Sequence, residues 1–240
     1  MKRQKNMASI KKPSFIYFDL DNTLLDHTSA ERAAQAETYE HFDFLHEVTL
    51  EKWQDTYHEV NSALWGKYGH HEIERGYLQR HRFEDTLAAL DLDSSRWKPV
   101  ADFYINRYEY HWKWVEGAQK GYELLRQKYP IGILTNGFLE LQQKKFERFG
   151  FYESARQLVI SEEVGYMKPQ PEIFAHATGR TVLKPDQILY VGDSLTSDIR
   201  GGSAYGWKTA WYAPNGTPKE ANEADFVFKN FDELCERLID

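Results

Sequence analysis

By its apolar and polar positions, the chain falls into three zones. Residues 14–20 (SFIYFDL) are a short, almost wholly apolar run ending in acidic residues. That is the pattern of a parallel strand buried on both faces. Residues 28–112 are longer, more polar and helical in period. Thr28 or Ser29 is placed to cap a helix through ERAAQAETYEHF. A second helix starts at Thr49 and carries Trp53, Tyr57, Val60, Leu64 and Trp65 on one stripe. A third runs from about His71 to Leu90 and a fourth from Ser94 or Ser95 to about Trp112. This zone reads as a helical bundle.

From about residue 115 the pattern alternates. Apolar runs IGILT (131–135), QLVIS (157–161), QILYVGD (187–193) and KTAWY (208–212) are each followed by a helix-like or Gly/Pro-rich segment. Strand and helix in turn predict an α/β fold with a doubly wound parallel sheet. The strand at 14–20 belongs to the same sheet, because alone it would leave both edges unpaired. The bundle is then an insertion after the first strand. The expected organisation is a disordered tail over 1–13, a catalytic core over 14–26 and 115–240, and a helical cap over 27–114.

Composition sharpens that division. Of the chain's 9 histidines 8 lie between 27 and 114, as do 16 of its 36 aromatic residues and 5 of its 7 tryptophans. The same window holds 16 acidic and 10 basic side chains, so −6 of the net charge of −7 resides there. Adjacent His70 and His71 are not at ligand spacing on a helix face and read as solvated. An acidic chain repels a phosphate backbone, which argues against a nucleic-acid polymer as partner. The single cysteine, Cys235, excludes an internal disulfide and a cysteine-based zinc site, and makes cytoplasmic residence the expectation. No apolar run approaches the ~20 residues of a membrane helix. The basic N-terminus (MKRQKNMASIKK) has no hydrophobic stretch behind it, unlike a secretory signal.

In a parallel α/β sheet the working groups collect at the carboxyl ends of the strands. Those ends carry Asp19 and Asp21, then Thr135 and Asn136, and later Asp193 and Asp198; Lys168 lies in a loop before a helix (GYMKPQPEIF). Carboxylates brought together repel unless a cation sits among them, and all-oxygen ligation suits Mg²⁺. Such a metal and a lysine attract an anion with several oxygens, and phosphate fits. Thr135 and the backbone N–H groups of Asn136 and Gly137 are placed to bind its remaining oxygens at a strand-to-helix turn. A carboxylate held against phosphorus can attack it and form an aspartyl phosphate. A carboxyl two residues along an extended chain faces the same side. It can protonate the leaving alcohol and then deprotonate the attacking water.

FDLDNT at 18–23, ILTNG at 133–137, Lys168-Pro169 and VGDSLTSD at 191–198 resemble, in order and separation, the four motifs of the haloacid dehalogenase (HAD) superfamily. The resemblance covers the chain from about residue 14, and the helical insert is similar to a C1-type cap. It implies Asp19 as nucleophile, Asp21 as general acid/base, Thr135 as a phosphoryl ligand, and Lys168 as the group steadying the nucleophile and transition state. It also implies Mg²⁺ held by the side chains of Asp19 and Asp193 and the backbone carbonyl of Asp21, with Asp198 acting through water or as outer support. Members that cleave halides lack the second aspartate, because a leaving halide needs no proton; Asp21 therefore implies phosphate transfer.

TNGFLELQQKKFERFG, LVISEEVGYMKP and NSALW at 61–65 are similar to the YjjG-like pyrimidine 5′-nucleotidases. The implied substrate is a small phosphomonoester, a nucleoside monophosphate such as UMP or dUMP. The alternatives are a sugar-phosphate or phosphoglycolate phosphatase and a phosphoglucomutase-like transferase. Outside enzymes, a phospho-receiver domain is about half this length and lacks the insert, and a silent protein-binding relative is expected to have lost a catalytic residue. Asn61, Trp65 and Arg82 are either substrate contacts or, for Trp65, bundle core and, for Arg82, a surface charge. Trp112 and Trp114 are expected to pack at the hinge, and Gly201 and Gly202 to let a helix approach the sheet. Oligomeric state is not legible.

Overall fold

A computed structural model describes residues 12–239; most of the tail expected over 1–13 lies outside the described residues. The chain forms two compact units, one running up to Leu25 and resuming at Trp114, the other spanning Asp26–Lys113.

The first unit is a six-stranded, all-parallel sheet, with β1 Phe15–Phe18, β2 Ile131–Thr135, β3 Gln157–Ile160, β4 Ile188–Gly192, β5 Lys208–Tyr212 and β6 Phe226–Phe228. The order is β3-β2-β1-β4-β5-β6. β1 sits in the middle, with Ile16 opposite Ile131 on one side and Leu189 on the other. Alternate residues serve opposite faces. Ile16, Phe18, Ile133, Leu189 and Val191 join one core cluster, while Phe15, Tyr17, Leu134 and Tyr190 join the other. Burial on both faces explains why these strands read as unbroken apolar runs. β2 and β5 match their apolar runs, while β1, β3 and β4 are one to three residues shorter than theirs. β6 is a strand the sequence reading did not include, because FVF is too short to show alternation.

Helices cover both faces. α5 (Ala118–Arg126), α6 (Leu139–Arg148), α7 (Phe151–Ser154) and α11 (Phe231–Ile239) pack on the first cluster, and α9 (Pro171–Gly179) packs on the second. α8 (Ser161–Val164) follows β3, and a π-helical turn, Leu195–Arg200, leads into α10 (Gly201–Tyr205). A Cβ on Gly201 would lie 3.0 Å from Phe174 and Pro169, and one on Gly202 3.0 Å from Thr209, so both glycines permit close packing. Trp114 packs against Tyr122, Phe149 and Phe151 at ring separations of 5.2–6.0 Å.

The second unit contains α1 (His27–His41), α2 (Leu50–Gly69), α3 (Arg75–Ala89) and α4 (Trp97–Tyr110). The cap of α1 is Asp26, which accepts from the Ser29 N–H, and not Thr28 or Ser29. The third helix begins at Arg75, because His71 takes a left-handed φ of 58° in the preceding turn. The buried stripe of α2 is Trp53, Tyr57, Asn61 and Leu64; Val60 and Trp65 are only half-buried, each one position off that face. Tyr57 meets Phe83 and Tyr104 at 5.2 and 5.4 Å, so much of the aromatic excess is bundle core. Trp65 lies edge-on to Tyr68, and the Arg82 guanidinium sits 5.1 Å from the centre of the Phe83 ring. Trp112 is buried, and His70 and His71 are exposed. Among the described residues no helix is long and apolar enough to cross a membrane.

Candidate active site

The strand order reverses between β1 and β4, and in such sheets the carboxyl-end crevice at that reversal is where ligands bind. Asp19 follows β1 directly. Its N–H still donates to the Val191 carbonyl at 2.8 Å, which holds the residue in sheet register with its side chain buried. Beyond Leu20 and Asp21 the chain turns through Asn22, at a φ of 64°, and the turn closes with Asn22 N–H donating to the Leu25 carbonyl at 2.7 Å. The turn brings the buried Thr23 hydroxyl to Asp193, donating to Oδ1 at 3.3 Å.

Lys168, between α8 and α9, reaches into this crevice fully buried. Its ammonium donates to Asp19 Oδ1 at 2.5 Å, to Asp198 Oδ1 at 2.8 Å and to the Tyr190 hydroxyl at 2.6 Å. All three donors of the ammonium thereby have acceptors. Tyr190 passes the arrangement on by donating to the Leu134 carbonyl at 2.8 Å. Asp198 Oδ2 accepts the Ser194 N–H at 2.9 Å. Gly192 makes room for this side chain, since a Cβ there would lie 2.4 Å from Asp198 Oδ2.

The charges are tightly balanced. Burial pushes the Asp19 carboxyl up to about 7, against the pull of Lys168. Burial raises Asp193 well above the usual carboxylate range, and the charges of Asp19 and Asp198 push it further. Burial acts to lower Lys168, but Asp19 and Asp198 outweigh it and hold the ammonium above its ordinary value. Asp19, Asp193 and Asp198 each offer a carboxylate oxygen within 4.8 Å of the others. A set of carboxylate oxygens this close together suits a hard divalent cation such as Mg²⁺. Three carboxylates facing one ammonium leave an excess of two negative charges, which a divalent cation would balance. Both oxygens of Asp198 already have protein donors, which fits an outer position better than a direct ligand.

The turn after β2 supplies the polar side. The Thr135 hydroxyl is buried at the strand end. Asn136 grips the backbone of Lys168 from both sides, its Nδ2 donating to the Lys168 carbonyl at 3.0 Å and its Oδ1 accepting the Lys168 N–H at 2.9 Å. The Gly137 N–H, expected to face a phosphate oxygen, instead donates to Ser161 Oγ at 3.1 Å. Gly137, at a φ of 154°, leaves space for Gln142, whose Nε2 would lie 2.4 Å from a Cβ there.

Two residues at Asp21 escaped the sequence reading. Lys145 is almost wholly buried, and its ammonium donates to Asp21 Oδ1 and Oδ2 at 2.7 and 2.9 Å. Gln142 Nε2 donates to Asp21 Oδ2 and to the Asn136 carbonyl, each at 3.0 Å, and lies 3.2 Å from Thr135 Oγ1. The available signal was their spacing of three on the helix just after ILTNG, one turn apart and so on one face.

The model of the haloacid dehalogenase-like hydrolases matches residues 15–206. The pyrimidine 5′-nucleotidase YjjG of Escherichia coli K12 is 35% identical over 202 residues, 83% of this chain and 86% of that protein. A glyceraldehyde 3-phosphate phosphatase of Pyrococcus furiosus is 29% identical over 239 residues, 95% of this chain and 94% of that protein. Among solved structures, the HAD hydrolase YfnB of Bacillus subtilis, bound to magnesium, is 26% identical with a TM-score of 0.78, covering 95% of this chain and 99% of that one. Sheet order, strand-end carboxylates and a family match over most of its length agree, and the chain belongs to the haloacid dehalogenase-like hydrolases.

Proposed function

We propose that this hydrolase is a Mg²⁺-dependent phosphomonoesterase that works through an aspartyl phosphate on Asp19. The observation that carries the reading is the buried Lys168 ammonium bridging Asp19 and Asp198 beside Asp193, with a second carboxyl at Asp21. Asp19, Asp193 and the Asp21 carbonyl would hold the ion, with Asp198 behind them. When bound, Mg²⁺ draws in the phosphoryl oxygens and offsets their charge.

The protein's own residues divide the remaining work. Thr135 and the Asn136 N–H bind phosphoryl oxygens, and Lys168 aligns Asp19 while stabilising charge that builds up on the phosphoryl group. An Asp19 oxygen forms the new bond to phosphorus as the ester P–O bond breaks, and Asp21 gives its proton to the leaving alkoxide. Asp21, now a carboxylate, takes a proton from water as that water attacks phosphorus. The Asp19–phosphorus bond breaks, releasing inorganic phosphate and restoring both carboxyl groups.

A pyrimidine nucleoside 5′-monophosphate is the preferred substrate, supported by the 35% identity to the Escherichia coli nucleotidase. The second reading, a small sugar phosphate, is favoured by the near full-length similarity to the Pyrococcus furiosus phosphatase. The buried, unpaired Cys235 suits a reducing cytoplasm. A phosphate-release assay with UMP, dUMP, glyceraldehyde 3-phosphate and phosphoglycolate, with Mg²⁺ and with EDTA, tests the proposal. UMP and dUMP should lead, and EDTA should abolish turnover. Equal rates with sugar phosphates would remove the nucleotidase reading, and full activity in EDTA would remove the metal.

A further inference from the structure

Asp21 must move a proton twice per turnover, and nothing in the motif that contains it explains what aims its carboxyl group. We infer that Lys145 and Gln142 on α6 are positioning residues that clamp Asp21 and tie it to the phosphoryl-binding Thr135. This inference rests on the phosphatase reading and assigns a device within that same site.

Three observations carry it. Lys145 holds both oxygens of the Asp21 carboxylate, at 2.7 and 2.9 Å, and so fixes the plane of the group in the form that takes a proton from water. When Asp21 is the acid, one oxygen carries the proton and the other keeps the Lys145 contact. Gln142 Nε2 lies within hydrogen-bond reach of Asp21 Oδ2 and Thr135 Oγ1 together, at 3.0 and 3.2 Å. The two groups that must face opposite sides of one P–O bond therefore share a tether. Lys145 and Gln142 are also more deeply buried than Asp21, whose side chain is 23% exposed against 1% for Lys145. A buried lysine that loses hydration to meet a partly exposed carboxylate costs stability unless the pairing is tight. A solvated ion pair would not need that burial.

The opposite orientation of Gln142 would aim its oxygen at a carboxylate oxygen, so the amide has one workable direction. In that direction Oε1 is buried and has no hydrogen-bond partner among the described residues. A side chain placed for folding alone would be expected to satisfy both ends of its amide. Here the donor end is spent on Asp21, Thr135 and the Asn136 carbonyl, and the acceptor end is left without a partner.

Proton delivery to a leaving group depends steeply on alignment, and a misplacement of about 1 Å can cost about 10²-fold. The clamp should therefore matter for a substrate whose leaving group needs a proton, and little for one whose leaving group does not. The test compares kcat/KM, which reports steps up to leaving-group departure, for the alkyl phosphate that the wild-type enzyme turns over best and for p-nitrophenyl phosphate. Lys145→Met should lower the value for the alkyl phosphate by about 10²-fold and that for p-nitrophenyl phosphate by less than about 5-fold, as Asp21→Asn should also do. Lys145→Arg should restore part of the alkyl activity. Gln142→Met, which keeps volume and removes the donor, should show the same selectivity at smaller size, and it decides the matter should Lys145→Met not fold. Equal losses on both substrates, or no loss on either, in variants that melt cooperatively would overturn the clamp while leaving the phosphatase reading intact. A wild-type enzyme inactive on both substrates would overturn the phosphatase reading itself, and the clamp with it.

Discussion

The two units of this chain handle charge in opposite ways. The helical unit holds nearly all the net charge, yet its ion pairs lie mostly at the surface. Lys98–Asp102 and Arg96–Asp93, for example, have side chains more than half exposed. The sheet unit is nearly neutral in sum and has exposed pairs of its own, such as Lys120–Asp232, but it also buries a charged cluster, with Lys168, Asp19 and Asp198 all under one-tenth exposed. Exposed pairs are screened and contribute little, whereas buried ones act at low dielectric and shift one another's protonation. Net charge and working charge are thus found in different places, and an acidic total says little about a site that binds an anion.

The sharpest way to break this comparison is to remove buried charges one at a time. Asp19→Asn should lower phosphate release by more than about 10³-fold, because the amide cannot form the covalent intermediate. A near-normal rate in a steady-state assay would sink the nucleophile assignment. Lys168→Met should cost about 10²–10³-fold in kcat, since a preorganised charge next to the reacting group is lost. It should also destabilise the fold more at pH 8 than at pH 5.5, as followed by thermal melting. Ionising the buried carboxylates left without a partner becomes costlier as pH rises, whereas at the lower pH Asp19, no longer held down by Lys168, keeps a proton.

Metal addition probes the same charges without a mutation. Between the ordinary carboxyl range and about 7, folded Asp19 holds a proton that the unfolded chain has released. Stability of the metal-free protein should therefore fall as pH rises through that window. Mg²⁺ competes with that proton, so its stabilising effect should be larger at pH 8 than at pH 6. A ligand present at about 100 times its Kd contributes about 2.7 kcal/mol, enough to see in a melting curve. An unchanged melting temperature at both pH values would count against the ion. Gly192→Ala, which drives a methyl into Asp198, should cost about 1–3 kcal/mol by denaturant unfolding and lower activity as well. At the small end, Lys98→Ala in the helical unit should move the melting temperature by less than about 2 °C and leave turnover unchanged. A large effect there would mean that the helical unit's surface charges are not the bystanders they look.

The contrast between legible and illegible parts follows the same physics. Asp19, Asp21 and Asp193 stand out because acidic residues at the end of an apolar strand have no cheap structural explanation. Tyr190 does not stand out, since a tyrosine in QILYVGD is an ordinary core residue until its hydroxyl is seen between Lys168 and the Leu134 carbonyl. Lys145 and Gln142 were hidden for the same reason. In LELQQKKFER they read as the polar face of an amphipathic helix, and only packing turns Gln142, Lys145 and Phe146 inward together. The first turn of α1 shows a smaller version, because Asp26, Thr28 and Ser29 are all good caps and only the observed Asp26–Ser29 hydrogen bond selects one.

By itself, the sequence determined the alternation of strand and helix, the inserted bundle and the family. These depend on local periodicity and on short motifs whose residues lie close in the chain. Tertiary structure decided which groups meet across more than a hundred residues, as Lys168 meets Asp19 and Lys145 meets Asp21. It also decided that the Gly137 N–H is taken by Ser161. Such contacts are set by how helices and loops pack against a twisted sheet, and no local pattern encodes the distance between two side chains that packing alone brings together.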